Sequence, residues 1–358
     1  MGKRFFSAVS LLLGIAGFCA VPWLVGMRDV LWTIGHVGWV GVLLCVANAS
    51  GTLLMPALGW WLLMRAEGIP VTLRTVITAN LMGFPLDFVV PSAYLGGEPL
   101  KTVYIAHVCQ VTTPRVLATI MVAKYQELGG LVVGMLVATA LVVWRTDAVT
   151  TPQAALLLAV LVLLTGLLGL TLYAFAGRFT PLMTLLTCLA RWGIFPRKMA
   201  QLRDFATEVE QLITIALTER VSVFLLAQLI TSLSTVSLFI RPWLFFWFLP
   251  GAHLSVEQLC ALFVLTNLVN LFTVVPGGLR WFEATMAGYA RATGLGDEKG
   301  VAFALVSRMA DVTLLTLGCW LIVHTGLSYL VRGQARERQP AATRIQTLGK
   351  GSENQAEG

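Results

Sequence analysis

The stretch Pro91-Ser-Ala-Tyr-Leu-Gly-Gly-Glu-Pro-Leu-Lys101 follows directly on an apolar run, yet holds two prolines, paired glycines, a carboxylate and an amine. Backbone that irregular leaves amide and carbonyl groups unpaired, and at membrane depth it is tolerated only where protein or a water-filled cavity covers it. The chain breaks in the same manner at Val275-Pro-Gly-Gly-Leu-Arg-Trp-Phe-Glu283, again with paired glycines leading into a helix that carries opposite charges. Two matched interruptions in one chain are the sequence mark of a transporter-type binding site near the bilayer midplane.

Composition supports a membrane setting. With 57% hydrophobic and 12% charged residues and a mean hydropathy of +0.80, the chain has too little polar surface for a soluble domain of its length. Its formal charge of +7 comes from Lys and Arg placed between apolar runs, not from a basic patch interleaved with aromatics. That distribution excludes nucleic acid as a partner and fits membrane orientation. Cys19, Cys45, Cys109, Cys188, Cys260 and Cys319 lie far apart, without C-x-x-C spacing or a His at metal-ligand spacing. They read as small hydrophobes, and neither a metal nor a cofactor is expected.

Apolar spans are expected at 5–25, 37–64, 116–144, 152–176 and 221–240, with a last one ending at His324. A loop is expected at 26–35 and a kink at Pro56. Region 76–113 is flanked by Arg65 and Arg74 before it and by Arg115 and Lys124 after it, so it enters and leaves on one side. The second break lies in a matching hairpin that opens to the other side. The expected fold is an all-α polytopic membrane bundle of about six full spans and two oppositely oriented re-entrant helical hairpins. This domain takes up residues 1–332, and a polar, disordered tail follows at 333–358.

Arg178, Arg191, Arg197, Lys198 and Arg203 mark 177–219 as a cytoplasmic insertion, and Lys3 and Arg4 at one end and Arg332, Arg336 and Arg338 at the other place both termini in the cytoplasm. Within the insertion, Leu202, Phe205, Val209, Leu212 and Ala216 recur at helical spacing. They predict an amphipathic helix resting either on lipid or on neighbouring protein. The run Trp243, Phe245, Phe246, Trp247 and Phe248, after Arg241-Pro242, reads as an interfacial aromatic belt.

Ionisable residues inside apolar segments are site candidates by default. Glu98 and Lys101 are three apart after the Gly96-Gly97 pair, and Arg280 and Glu283 are three apart after Pro276-Gly277-Gly278, in reversed order. Each pair can meet on one helical face, either neutralising itself to fix packing or offering its charge to a substrate. Two helix starts converging in a cavity would make an anion site, to which Lys101 and Arg280 add full charges. Arg308 with Asp311 repeats the spacing in the last span and joins the substrate candidates. Lys124 with Glu127 is read as a structural pair, Asp87 as a further buried charge, and Asn267 with Asn270 as interhelical hydrogen-bonders. His107 reads as a hydrogen-bonder in the core.

Gly96-Gly97-Glu98 with Lys101, and Pro276-Gly277-Gly278-Leu279 with Glu283 and then Arg308, resemble the two signature regions of a flippase-like membrane family. That family includes the transmembrane half of lysylphosphatidylglycerol synthases and hopanoid-associated membrane proteins. The resemblance spans roughly residues 5–330. It implies an integral inner-membrane protein that moves a lipid, or helps to move one, between leaflets. Arg280 stands where many relatives have glycine, and Lys124-Tyr-Gln-Glu127 replaces a Glu-Arg pair, so head-group preference does not carry over. The synthases' soluble aminoacyl-transferring domain is not expected in the tail.

The function expected is a lipid transporter acting on an anionic or lipid-linked substrate. A non-transporting partner of a lipid-synthesis enzyme is the alternative, and an intramembrane lipid-modifying enzyme a weaker one. For catalysis Glu98, Glu283 and His107 could serve, but no Ser-His-Asp, His-x-x-x-His or acidic metal motif is present.

Overall fold

Long apolar segments find no water to bond their backbone and close its hydrogen bonds as helix. A computed structural model describes residues 27–89, 96–146, 152–177, 183–184, 186–188, 199–272 and 281–337, and among these there are helices and no strands. In chain order they are α1 (Met27–Ala66), α2 (Leu73–Val89), α3 (Glu98–Cys109), α4 (Thr113–Thr146) and α5 (Pro152–Ala176). Then come α6 (Met199–Thr218), α7 (Val221–Trp247), α8 (Val256–Phe272), α9 (Trp281–Ala292) and α10 (Asp297–Glu337). Five of them, α1, α4, α5, α7 and α10, are long and apolar enough to cross a membrane. The chain is thus a helical membrane bundle, and these five fall on five of the expected spans. The run at 5–25 lies outside the described residues.

Side-chain contacts fix the helix directions. Gln126 donates to the Phe224 carbonyl at 2.8 Å, Gly130 lies against Ser232, and Gly134 against Thr235, so α4 and α7 run parallel. The Gly130-x-x-x-Gly134 pattern allows this approach because a methyl group on Gly134 would come within 2.7 Å of Thr235. Asn48 bonds Ser237 while Gly59 meets Thr231, which sets α1 antiparallel to α7. Phe303 packs on Phe245 at 5.5 Å between ring centroids, and Asp311 lies near Arg241, so α10 is antiparallel to α7 as well.

The shorter helices form two hairpins of equal build. Limbs of 17 and 12 residues recur in α2–α3 and in α8–α9, at about 26 and 18 Å each short of the roughly 30 Å apolar core of a bilayer. In the first, Gly97 meets Gly83 and Asp87, so the limbs are antiparallel with the break at their tip. In the second, the Tyr289 hydroxyl donates to the Gln258 carbonyl at 2.6 Å, joining the end of α9 to the start of α8. The first hairpin opens at the end of the bundle where α4 and α7 begin, and the second where α7 ends. The hairpins are therefore inverted relative to each other.

Helix α10 lies at the centre. Every residue from Val301 to Arg308 is buried, and the helix packs against α1, α2 and α9. Glycine makes two of these approaches possible. A side chain at Gly300 would strike the Met286 carbonyl of α9, and one at Gly318 would strike the Leu81 carbonyl and Pro85 of α2. One helix thus holds a limb of each hairpin.

Several expectations need correction. The region 26–35, read as loop, is helical from Met27, and non-helical backbone falls at Gly38 (φ 71°, ψ 163°), a conformation open essentially to glycine, while Pro56 sits within the helix. Helix α7 does not stop at Ile240 but passes through Arg241 and Pro242 to Trp247. Phe245 and Phe246 are consequently core residues against Phe303, and only Trp243 and Trp247 point outward. The amphipathic helix expected in the insertion is α6, and of the two surfaces open to its apolar face, lipid or protein, it rests on protein: Val209 and Ile213 are buried with Val116 and Ile120 of α4 and Phe175 of α5. Helix α10 continues to Glu337, into the segment assigned to the tail.

Close packing at Gly300 yields a test. Gly300→Val should destabilise the protein by about 1–3 kcal/mol through overpacking against backbone that cannot give way. Gly166→Val, at a position with open space around it, should unfold near the wild-type temperature in detergent. Equal melting temperatures for the two variants would contradict the α9–α10 contact.

Candidate functional site

The tip of the first hairpin is built around a missing side chain. A Cβ on Gly97 would overlap the backbone of Gly83, so α3 can start against α2 only with glycine there. That start leaves amide hydrogens without helical partners. Asp87 takes one of them, its Oδ1 accepting from Gly97 N–H at 2.7 Å. Proline in the first turn of α3 removes another donor that the helix could not have satisfied.

Five charges alternate in sign outward from this tip. Lys101 Nζ reaches Asp87 Oδ2 at 3.5 Å and Glu98 Oε1 at 3.1 Å. Lys124 Nζ, from α4, meets the same Glu98 oxygen at 3.0 Å and Glu127 Oε2 at 2.7 Å. Glu98 and Lys101 are 7% and 6% exposed, so their pairing is what makes their burial tolerable. Glu98 and Lys101 pair as their spacing suggests. The structural reading of Lys124 and Glu127 as a pair closed on itself needs correction, because Lys124 also binds Glu98 and ties α4 to the hairpin. Asp87 likewise belongs to the cluster. Gly96 forms the turn beside Gly97, and His107 is exposed on α3.

The second cluster lies between α7, α9 and α10. Glu283, in the first turn of α9, is 4% exposed and takes Arg308 Nε at 3.3 Å. Arg308 Nη1 stands 3.8 Å from Asp311 Oδ2, and Arg241 Nη1 approaches Asp311 Oδ1 at 4.0 Å. The Arg308 guanidinium also sits 5.0 Å above the Phe282 ring, a favourable place for a cation. Pro276, Gly277, Gly278 and Arg280 lie outside the described residues, and with them the expected Arg280–Glu283 pair. Within the described residues Glu283 is joined to Arg308 across two helices.

A cavity of about 50 Å³ adjoins this second cluster, lined among others by Arg241, Asn267, Phe282, Ser307, Arg308 and Asp311. Among the described residues Asn267 donates to the carbonyl of Phe263 in its own helix at 2.8 Å and not to another helix, and the Asn270 side chain lies outside them. Arg241 Nε and Ser307 Oγ are buried and have no hydrogen-bond partner among the described residues. Sequence reading passed over both. Arg241-Pro242 resembles the end of a span, and a lone serine in an apolar run gives no signal.

The two clusters sit at different heights. Lys124 lies level with the first turn of α7, given the bond from Gln126 to Phe224, whereas Arg241 stands 17 residues further along, about 25 Å at 1.5 Å per residue. Glu98 and Lys101 do not line the cavity beside Arg308. Glu98 with Lys101 and Glu283 with Arg308 and Asp311 thus form two charged stations, one at each inverted hairpin, while Arg280, the fourth residue expected at a shared midplane cavity, lies outside the described residues.

Glu98 is the hub of the first station, since both lysines converge on one of its oxygens. Glu98→Gln should cost about 3–5 kcal/mol by leaving two buried amines under-compensated. Glu127→Gln, at the more exposed end of the chain of charges, should cost about 1 kcal/mol or less. Thermal unfolding of the purified variants in detergent checks this order. Equal losses would contradict it.

Comparison with known proteins agrees with this architecture. Residues 8–319 match the family described as Lysylphosphatidylglycerol synthase TM region. A UPF0104 membrane protein of Methanothermobacter thermautotrophicus (strain Delta H) is 21% identical over 327 residues, covering 90% of this chain and 96% of that protein. No solved structure matches. With its long apolar helices, its inverted hairpins and a family match over most of its length, the chain is an integral membrane protein that belongs to the lysylphosphatidylglycerol synthase transmembrane-region family.

Proposed function

We propose that this protein moves an anionic or lipid-linked substrate between membrane leaflets, with the head group passing between the two charged stations. The observation that carries this reading is their arrangement: alternating ion pairs at two heights of a membrane bundle, each at the base of a helix that begins at or beside a break. A buried Lys or Arg near a bilayer centre costs about 2.5–3.5 kcal/mol on insertion scales, so the cations at rest are held by carboxylates. A phosphate-bearing head group can take the carboxylate's place at Arg308 or Lys101, and the released carboxylate then loosens the contact between helices. Binding and opening are coupled in that exchange.

Orientation follows from the basic residues. Arg65, Arg74, Arg115 and Arg220 gather at the end where α4 and α7 begin and the first hairpin opens. We place that end, the insertion at 177–219 and both termini in the cytoplasm, and the protein in the inner membrane. We further propose transport rather than catalysis, with a membrane lipid as the principal partner.

The test is leaflet-resolved movement of a fluorescent phosphatidylglycerol in vesicles containing the purified protein, with mass spectrometry of the recovered lipid. Wild type should equilibrate chemically unaltered lipid between leaflets. Arg308→Gln and Lys101→Gln should slow it about tenfold or more, the loss expected when a charged hydrogen bond to the substrate is removed. Movement no faster than in protein-free vesicles, or wild-type rates in both variants, would overturn the proposal. A chemically altered lipid would replace it with an enzyme.

A further inference from the structure

We infer that the cavity between α7, α8, α9 and α10 is a subsite for a phosphate-type oxyanion, with Arg241 Nε and Ser307 Oγ as its donors. This inference rests on the transport reading and names the chemistry of one of its stations. Arg241 Nε–H can only donate, and both it and the Ser307 hydroxyl are buried without a partner among the described residues, in two of the side chains that line the cavity. Ser307 is 5% exposed, so no bulk water serves it. A buried donor left unsatisfied is costly, and two beside one cavity point to an acceptor that fills it.

The neighbouring charges narrow the class. Asp311 stands at 4.0 and 3.8 Å from Arg241 and Arg308, well beyond the roughly 2.7–2.9 Å of a charge-assisted hydrogen bond. It neutralises the site without engaging the guanidinium donors closely. A cationic ligand would meet two guanidinium groups, and an apolar one would leave Ser307 and Arg241 unsatisfied. A tetrahedral oxyanion offers several acceptor oxygens in a small volume, and about 50 Å³ is several times the space a single water requires. Arginine's planar fork suits phosphate oxygens, and the aromatic walls at Phe263, Phe282 and Phe303 lower the local dielectric and strengthen the contact.

The phosphate could belong to a lipid or be free, and the experiment separates the two. The full-length protein, purified in detergent, is titrated with dihexanoyl phosphatidic acid, inorganic phosphate or dihexanoylglycerol, and its melting temperature is followed. Wild type should be stabilised by the phosphatidic acid and not by the phosphate-free glyceride. Ser307→Ala leaves every ion pair in place, and Arg241→Lys keeps the positive charge while removing the Nε donor. Each should weaken the apparent affinity about tenfold or more. Equal protection by inorganic phosphate and phosphatidic acid would keep the subsite and assign it to free phosphate. No shift with either probe, or undiminished shifts in both variants, would overturn the subsite. The two readings fail separately. Binding through Arg241 and Ser307 without lipid movement sinks transport alone, and lipid movement with no binding loss in either variant sinks the subsite alone.

Discussion

A charge carried into an apolar bundle has to find its opposite, and the Glu283–Arg308 pair shows how far that requirement shapes this protein. Arg308 lies in the most buried stretch of α10, where an isolated guanidinium would not be tolerated. Its partner comes from another helix, at the start of α9, so the pair holds the second hairpin to the central helix at the level where α9 leaves the break. At the first hairpin, Glu98 does the same for α3 and α4 through Lys124. Each station is therefore both a fastening and a set of charges, and a ligand that competes for one partner acts on the fastening too.

Glycine supplies the complementary constraint. Inverted hairpins of short limbs bury little surface by themselves, and they are held only if α10 and the limbs come close enough for backbone to meet backbone. Gly300 and Gly318 permit that on α10, while Gly83 and Gly97 permit it within the first hairpin. The close approach leaves the polar groups at the hairpin tip no room for a random arrangement. Gly97 brings its amide to Asp87, and Gly83 makes space for the Lys101 side chain. Packing thus sets the geometry in which the charges pair.

Much of this was legible in the sequence because the signals are local. Apolar runs interrupted by Pro and paired Gly mark the spans and hairpins, and three-residue spacing on one helix reveals Glu98 with Lys101. What stayed hidden depends on neighbours distant in the chain. Nothing near Lys124 says that its amine turns toward Glu98, and nothing near Glu283 says that its partner is Arg308. Arg241 was passed over because Arg-Pro usually closes a span, yet here Pro242 is accommodated inside α7 by the packed neighbours around Phe245 and Phe246. The same absence of tertiary context left α6 undecided between lipid and protein. Its stripe of Phe205, Val209 and Leu212 is what either surface would select.

If pairing across helices is what holds the second hairpin, the charges should be exchangeable as a pair but not singly. The decisive measurement is the yield of monodisperse protein, with its melting temperature, for Glu283→Arg, Arg308→Glu and the double exchange. Each single reversal should fail to accumulate as folded protein, since it sets like charges together in the bundle interior. The double exchange should recover a folded protein, below wild type because a carboxylate at 308 faces Asp311 and because a carboxylate suits the first turn of α9 better than a guanidinium does. A double exchange no better than the worse of the two single reversals would contradict the account.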